Sequence, residues 1–338
     1  MDIYFEKEIV DIKKIENTKK YWLVRTYGGN AYGNYLEENY IGLGLNNVPY
    51  EYIKKSLSDD EEAINQLISF IEKNTSYSGG EATKWARQLV SFERDVKVGD
   101  TVVVPSKNSA SLSIGTVISD TYLVKETRTF TTKKGVEQFP EKRKKIEWEK
   151  TIDKDEFQGD LRNLISSQKG LTNADRFFET IEGVLSNLYI KEERIYLVIQ
   201  INQDEDINAF VLNRFLNCLT YFYNEFCEEN GIEKNEDLAI KIKLQSKGKM
   251  ALSAFALAGV VGISSLLLLS NNTEVKADLK EMKVEGKSDG LLQSISDFLD
   301  RKQQRKIEYE IFKDSIQKLK VSHQIDSVKL NDEITDAP

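Results

Sequence analysis

One histidine and two cysteines are all that this 338-residue chain holds of the two residue types most often used for metal binding and nucleophilic attack. The lone His323 excludes a His-rich metal centre or a catalytic histidine pair. Cys218 and Cys227 fall in what reads as a single helix, roughly 13 Å apart by the helical rise, which is too far for a disulfide. Two unpaired thiols suit a reducing compartment. The first residues, Met1-Asp2-Ile3-Tyr4-Phe5-Glu6, carry neither a basic stretch nor an apolar core, so no secretory signal is expected there. Gly28, Gly29 and Gly33 lack both the P-loop lysine–hydroxyl pair and dinucleotide-binding spacing. The acidic runs 59–62 and 204–206 suit helix starts or loops, and neither cysteine has a histidine partner in view. No cofactor or catalytic set is expected, and the chain is read as a non-enzyme.

What is present is ordinary globular composition, 40% hydrophobic and 30% charged, in a length that allows two or three domains. The net charge of −8 is unevenly placed. Residues 1–150 hold 23 basic and 23 acidic residues, so the excess of acid lies wholly in 151–338. Within the neutral part, Lys142, Arg143, Lys144 and Lys145 form the densest basic run. Such a run can track a nucleic-acid backbone; its alternative is a solvated strand edge protected by lysine.

The longest signal is apolar. No charge occurs between Lys249 and Glu274, and 250–271 supplies the length a bilayer-spanning helix needs, about 20 residues. Ala254, Ala258 and Gly262 recur at intervals of four, a small-residue stripe suited to helix association. The expectation is a transmembrane helix, with a helix buried in a protein core or oligomer interface as the alternative. Lys241, Lys243, Lys247 and Lys249 precede it, which favours a cytoplasmic N-terminal part and a single pass through the inner membrane. The alternative placement is cytoplasmic throughout.

Along the chain, Tyr21–Tyr27 reads as a strand stopped at Gly28-Gly29, and Tyr40–Leu45 as a second. Ser58-Asp-Asp-Glu61 reads as a capping box opening a helix with Ile64, Leu67, Ile68 and Ile71 inward, and Glu81–Phe92 as another helix. Strands follow at 101–105, 111–118, 121–124 and 145–149. Residues 151–190 read as a helical connector and 191–248 as a β-α-β unit. The remainder, 272–338, reads as a helix over 291–319 and a mobile polar tail after Ser322.

A family resemblance enters on particular residues. Trp22-Leu-Val-Arg25 with Gly28-Gly29 is followed by Tyr40-Ile-Gly-Leu-Gly44, Phe92 and Gly99-Asp100-Thr-Val-Val-Val-Pro105. Ile114-Gly115, Tyr122 and Ile146-Glu-Trp148 complete the order. The set resembles the N-terminal modules of Mrr-type restriction and defence proteins and, more broadly, the EVE/PUA-like fold. It covers about 20–150 and departs from the pattern in a long polar helical insertion over 49–78. The acid-x-lysine of the nuclease usually found beside such modules has no match at Glu147-Trp-Glu149 or 198–203.

The resemblance implies an α+β fold. It implies a PUA/EVE-like curled β-barrel with helices over 1–150, to which the β-α-β unit, the apolar helix and the C-terminal helix read from the residues are added. It also implies binding of a modified or displaced base, a nucleotide or a nucleic acid. Aromatic walls stack an extruded base, and Trp22, Tyr27, Tyr32, Tyr35 and Trp85 are the candidates, with Arg25 for a phosphate or carbonyl edge. Core packing is the competing reading for each tryptophan. The leading functional expectation is therefore a defence-type sensor coupling that ligand to the membrane helix, with homo-oligomers expected. The alternatives are an oligomeric scaffold using the apolar helix as its interface, and an enzyme with an unrecognised site.

Overall fold

The computed structural model describes residues 4–5, 8–9 and 12–322, apart from 59, 133–134, 154–159, 168, 204–205, 233–237, 244–247 and 279–296. His323, the tail after Ser322, the first residues of the expected 291–319 helix and parts of both acidic runs lie outside the described residues. The chain divides into two units, Thr18–Ile181 and Met1–Asn17 with Glu182–Pro338.

Thr18–Ile181 is built on one sheet, in the order Leu171–Asn173, Tyr21–Val24, Thr101–Pro105, Ser111–Val117, Lys142–Asp153 and Tyr40–Leu43. Tyr21–Val24 runs parallel to Thr101–Pro105, and the other neighbours are antiparallel. The long strand Lys142–Asp153 serves two partners. Its first residues pair with Tyr40–Leu43 and its later ones with Ser111–Val117, with a register shift between Trp148 and Lys150. That irregularity bends the sheet. The expected curled β-barrel is corrected here to an open half-barrel, because among the described residues Leu171–Asn173 and Tyr40–Leu43, at the two ends of the order, do not pair with each other.

Asp100 explains why a Gly-Asp turn precedes the Thr101–Pro105 strand. Gly99 takes φ +93°, and the Asp100 carboxylate accepts from Trp22 Nε1 at 2.9 Å, Lys20 N at 3.0 Å and Lys97 N at 2.9 Å. The helices Tyr50–Lys55, Glu61–Asn74 and Gly80–Arg94 cover the sheet. Asp60, accepting from Glu62 N, caps the second of them. Leu67, Ile71, Ala86, Leu89 and Phe92 are buried with Ile41, Leu43 and Val102 in one core.

The second unit has the sheet order Ala239–Lys243, Gly248–Ala254, Arg194–Ile201, Leu188–Lys191 and Lys13–Lys14, with Val321–Ser322 also on Arg194–Ile201. The helices Ala209–Glu229, Leu257–Asp278 and Gln303–Leu319 belong to it.

Here the transmembrane expectation for 250–271 is overturned. Among the described residues no helix is long and apolar enough to cross a membrane. The reason is local. The first part of the uncharged stretch is the strand Gly248–Ala254, hydrogen-bonded to Arg194–Ile201 from Ile195↔Ala254 to Ile201↔Gly248. The helix starts only at Leu257, and by Ser270 it has run roughly 20 Å at the usual rise against a hydrocarbon core of about 30 Å. Beyond Ser270 it turns polar. Val260, Ile263, Leu266 and Leu267 are buried with Phe215, Phe222 and Phe226 of the Ala209–Glu229 helix and with Met250 and Leu252 of the strand.

The small-residue stripe is corrected with it. Ala254 closes the strand, so only Ala258 and Gly262 lie on the helix. A Cβ at Gly262 would meet the Phe226 ring and one at Gly259 the Tyr223 ring, each under 3.0 Å, so the small residues admit neighbouring aromatic rings of this same unit. Among the described residues the single-pass inner-membrane placement has no helix to rest on.

Candidate functional site

The Tyr21–Val24 strand ends in Thr26-Tyr27-Gly28-Gly29, where three successive residues take positive φ: 53°, 68° and 96°. Thr26 Oγ1 donates to Pro105 O at 2.6 Å, and the backbone of Lys107 lies so close to Gly29 that no Cβ fits there. A turn pinned in this way sets the direction of Tyr27. Its ring meets Phe130 edge-on at 5.1 Å, and Phe130 in turn lies 4.7 Å from Phe139. Its hydroxyl occupies the space a side chain at Gly44 would fill, which makes glycine a requirement at 44. Burial raises the Tyr27 phenol well above the ordinary tyrosine range, and the Glu137 carboxylate raises it further. Tyr77 shifts in the same direction for the same two reasons, and its ring lies 5.6 Å from Trp85.

Phe130 and Glu137 come from Thr129–Thr132 and Gly135–Gln138, a two-stranded sheet separate from the main one. They are paired directly across it. Directly opposed residues put their side chains on the same face, so Glu137 shares the face that carries Phe130 onto Tyr27. Phe139 is fastened by its carbonyl, which accepts from Asn46 Nδ2 at 2.8 Å. One residue past Gly44, the Leu45 carbonyl accepts from Lys142 Nζ at 2.9 Å. These elements bring Tyr27, Phe130, Phe139 and Glu137 into one half-buried aromatic patch, and Tyr77, with its ring partner Trp85, is near enough to act electrostatically on Tyr27.

Of the residues expected to wall a pocket, Tyr27 belongs to this patch and Trp85 pairs with Tyr77 beside it. Trp22 is core, its indole tied to Asp100. Tyr35 is fully buried, donating to Gly42 O at 2.6 Å, and Tyr32 shares a hydrogen bond with Ser113 Oγ at 2.6 Å. Arg25 donates to the carbonyls of Ser167 and Ile165, so it holds the 165–167 segment instead of meeting a ligand edge.

The basic run is placed differently from either expectation. Lys142, Arg143 and Lys144 are buried and only Lys145 is exposed. Lys142 and Arg143 have strands on both sides, Tyr40–Leu43 and Tyr122–Leu123. Arg143 stacks on the Tyr40 ring at 3.9 Å and pairs with Glu38 and Glu126, the latter also bound by Arg128. Lys144 Nζ lies 5.5 Å over the Phe92 ring. Exposed cations at the patch are instead Arg128, whose guanidinium lies 5.5 Å over the Phe139 ring, and Lys107, whose backbone lies against Gly29.

Burial pushes the Lys142 ammonium down to about 8 from the usual 10.5, with Glu141 opposing. Between those two values the folded chain holds fewer protons here than the unfolded chain, so stability rises with pH across that window. At 1.36 kcal/mol per unit the rise amounts to about 3 kcal/mol. Urea unfolding at about pH 7.5 and about pH 9.5 reads it. Lys142→Met is expected to show a flatter dependence than the parent chain; equal slopes would contradict a buried, charged Lys142.

Tyr77, Phe130, Phe139 and Glu137 went unnoticed in the sequence. The alternation of Thr129-Phe-Thr-Thr and Val136-Glu-Gln about Gly135 is the hairpin signal that marks two of them. Among the described residues no group of histidine, cysteine and acid residues could hold a metal ion. No protein-family model, curated protein or solved structure matches the chain.

Proposed function

We propose that the Thr18–Ile181 unit reads a single unstacked nucleobase, free as a nucleotide or extruded from a nucleic acid. The observation that carries this is the chain of ring contacts Tyr27–Phe130–Phe139 at a turn locked by Gly29, with the Tyr77–Trp85 pair close enough for Tyr77 to act electrostatically on the Tyr27 phenol. Ring faces held by a rigid frame are what base stacking needs, and the exposed Arg128, over the Phe139 ring, and Lys107, beside Gly29, offer phosphate contacts near them. The motif order that resembles the PUA/EVE-like modules of Mrr-type proteins supports the same reading and adds a role as the sensing part of a defence protein. The buried basic run plays no direct part in it.

Fluorescence anisotropy with a labelled, short single-stranded oligonucleotide tests the proposal on the full chain. Base–aromatic stacking is worth about 1–3 kcal/mol per base, so Trp85→Ala is expected to weaken binding on the order of tenfold to a hundredfold. Trp85 and Tyr77 both pack against the core, so the urea unfolding midpoint of Trp85→Ala and of a second variant, Tyr77→Ala, is measured beside binding to separate lost stacking from lost fold. Binding that neither variant weakens would remove the patch from the account.

A further inference from the structure

Resting on that reading, we propose that Glu137 makes the site selective for guanine. The cross-strand pairing Glu137↔Phe130 puts its carboxylate on the face of the hairpin that meets Tyr27, at the rim of the aromatic patch. In keeping with that placement, Glu137 acts electrostatically on both the Tyr27 and the Tyr77 phenol, raising each after burial. A base stacked beside Phe130 with one edge toward the Gly135–Gln138 strand meets the Glu137 carboxylate.

A carboxylate only accepts hydrogen bonds, and it has two oxygens with which to do so. Guanine alone presents two adjacent donors on one edge, N1–H and the 2-amino group, and so can engage both oxygens. Adenine offers an amino donor next to the N1 lone pair, and cytosine an amino donor next to N3. Uracil and thymine set one N–H between two carbonyls. Each of those edges turns an acceptor toward the negative charge, which costs affinity. The two bonds to guanine are charge-assisted and run in parallel, the strong form of such contacts.

Isothermal titration of the full chain with GMP, IMP, AMP, CMP and UMP tests the assignment. GMP is expected to bind most tightly. IMP, which lacks the 2-amino group, is expected to lose on the order of tenfold to a hundredfold, the effect of one hydrogen bond to a charged group. Glu137→Gln keeps the size of the side chain but pairs a donor with an acceptor. It should weaken GMP by a similar factor and improve AMP, with an unchanged unfolding midpoint. Equal affinity for GMP and AMP, or a Glu137→Gln protein with the parent's preference, would overturn the guanine assignment while leaving base reading in place. No binding by any of the five nucleotides or by single-stranded oligonucleotides would overturn the base-reading proposal and this one with it.

Discussion

Arg305→Ala is expected to lower the stability of the chain by about 3–5 kcal/mol, the usual result of breaking a buried charge cluster from one side. Arg305 is wholly buried, and each of its three guanidinium nitrogens donates a hydrogen bond. Nε donates to Glu225 at 2.6 Å, Nη2 to Glu229 at 2.7 Å and Nη1 to the Phe298 carbonyl at 3.0 Å, while its plane lies 3.8 Å from the Phe298 ring centre. The two carboxylates stand one turn apart on Ala209–Glu229, so Arg305 clamps Gln303–Leu319 onto that helix. Alanine would leave both carboxylates against a void. Lys302 and Arg301 still reach Glu225 and Glu229 from the solvent side, which sets the loss toward the lower end of the range. A urea unfolding midpoint unchanged from the parent would show that the helix is held by its apolar face alone.

Gly262→Ala is expected to reverse the usual sign of a helix substitution. In an exposed helix interior alanine is better than glycine by about 1 kcal/mol. At 262 the new methyl would sit under 3.0 Å from three atoms of the Phe226 ring. Phe226 has little room to retreat, being buried and stacked on Phe298 at 4.1 Å and 12°. Overpacking of this kind costs about 1–3 kcal/mol, and the methyl's closeness to a fixed ring argues for the upper part. Phe298 is also the ring under Arg305, so the double variant with Arg305→Ala is expected to depart from additivity. A stabilised Gly262→Ala protein would mean that the helix face at 262 is not packed on Phe226.

That glycine also shows where the sequence was readable and where it was not. The helices around Leu67 and Leu89 announced themselves because one buried face imposes a spacing, and the strands around Trp22, Val102 and Ile114, buried on both faces, through their short aromatic and β-branched runs. Residues 250–271 did not, since hydropathy measures dislike of water and says nothing of whether lipid or protein supplies the relief. The alternation of Met250, Leu252 and Ala254 with Lys249, Ala251 and Ser253 was nevertheless a strand pattern inside the uncharged stretch. The basic run failed for a different reason. Charge suggests solvent, but Lys142 and Arg143 are flanked by strands on both sides, where their long stems fill space and their heads find Leu45 O, Glu38 and Glu126. Within the candidate site, Tyr27 was legible beside its glycine turn and Trp85 from its ring alone. Phe130 and Glu137 depend on the register of a hairpin, and Tyr77 on where a loop delivers it, neither of which is a local property.

The central claim is that a base stacks on the aromatic patch beside Trp85. The most direct measurement is quenching of tryptophan fluorescence on titration with a short single-stranded oligonucleotide, set against an abasic strand of the same length. The account predicts quenching by the base-bearing strand, little by the abasic one, and loss of the signal in Trp85→Phe, which leaves Trp22 and Trp148 in place. Equal quenching by both strands, or a signal that survives Trp85→Phe, would contradict it.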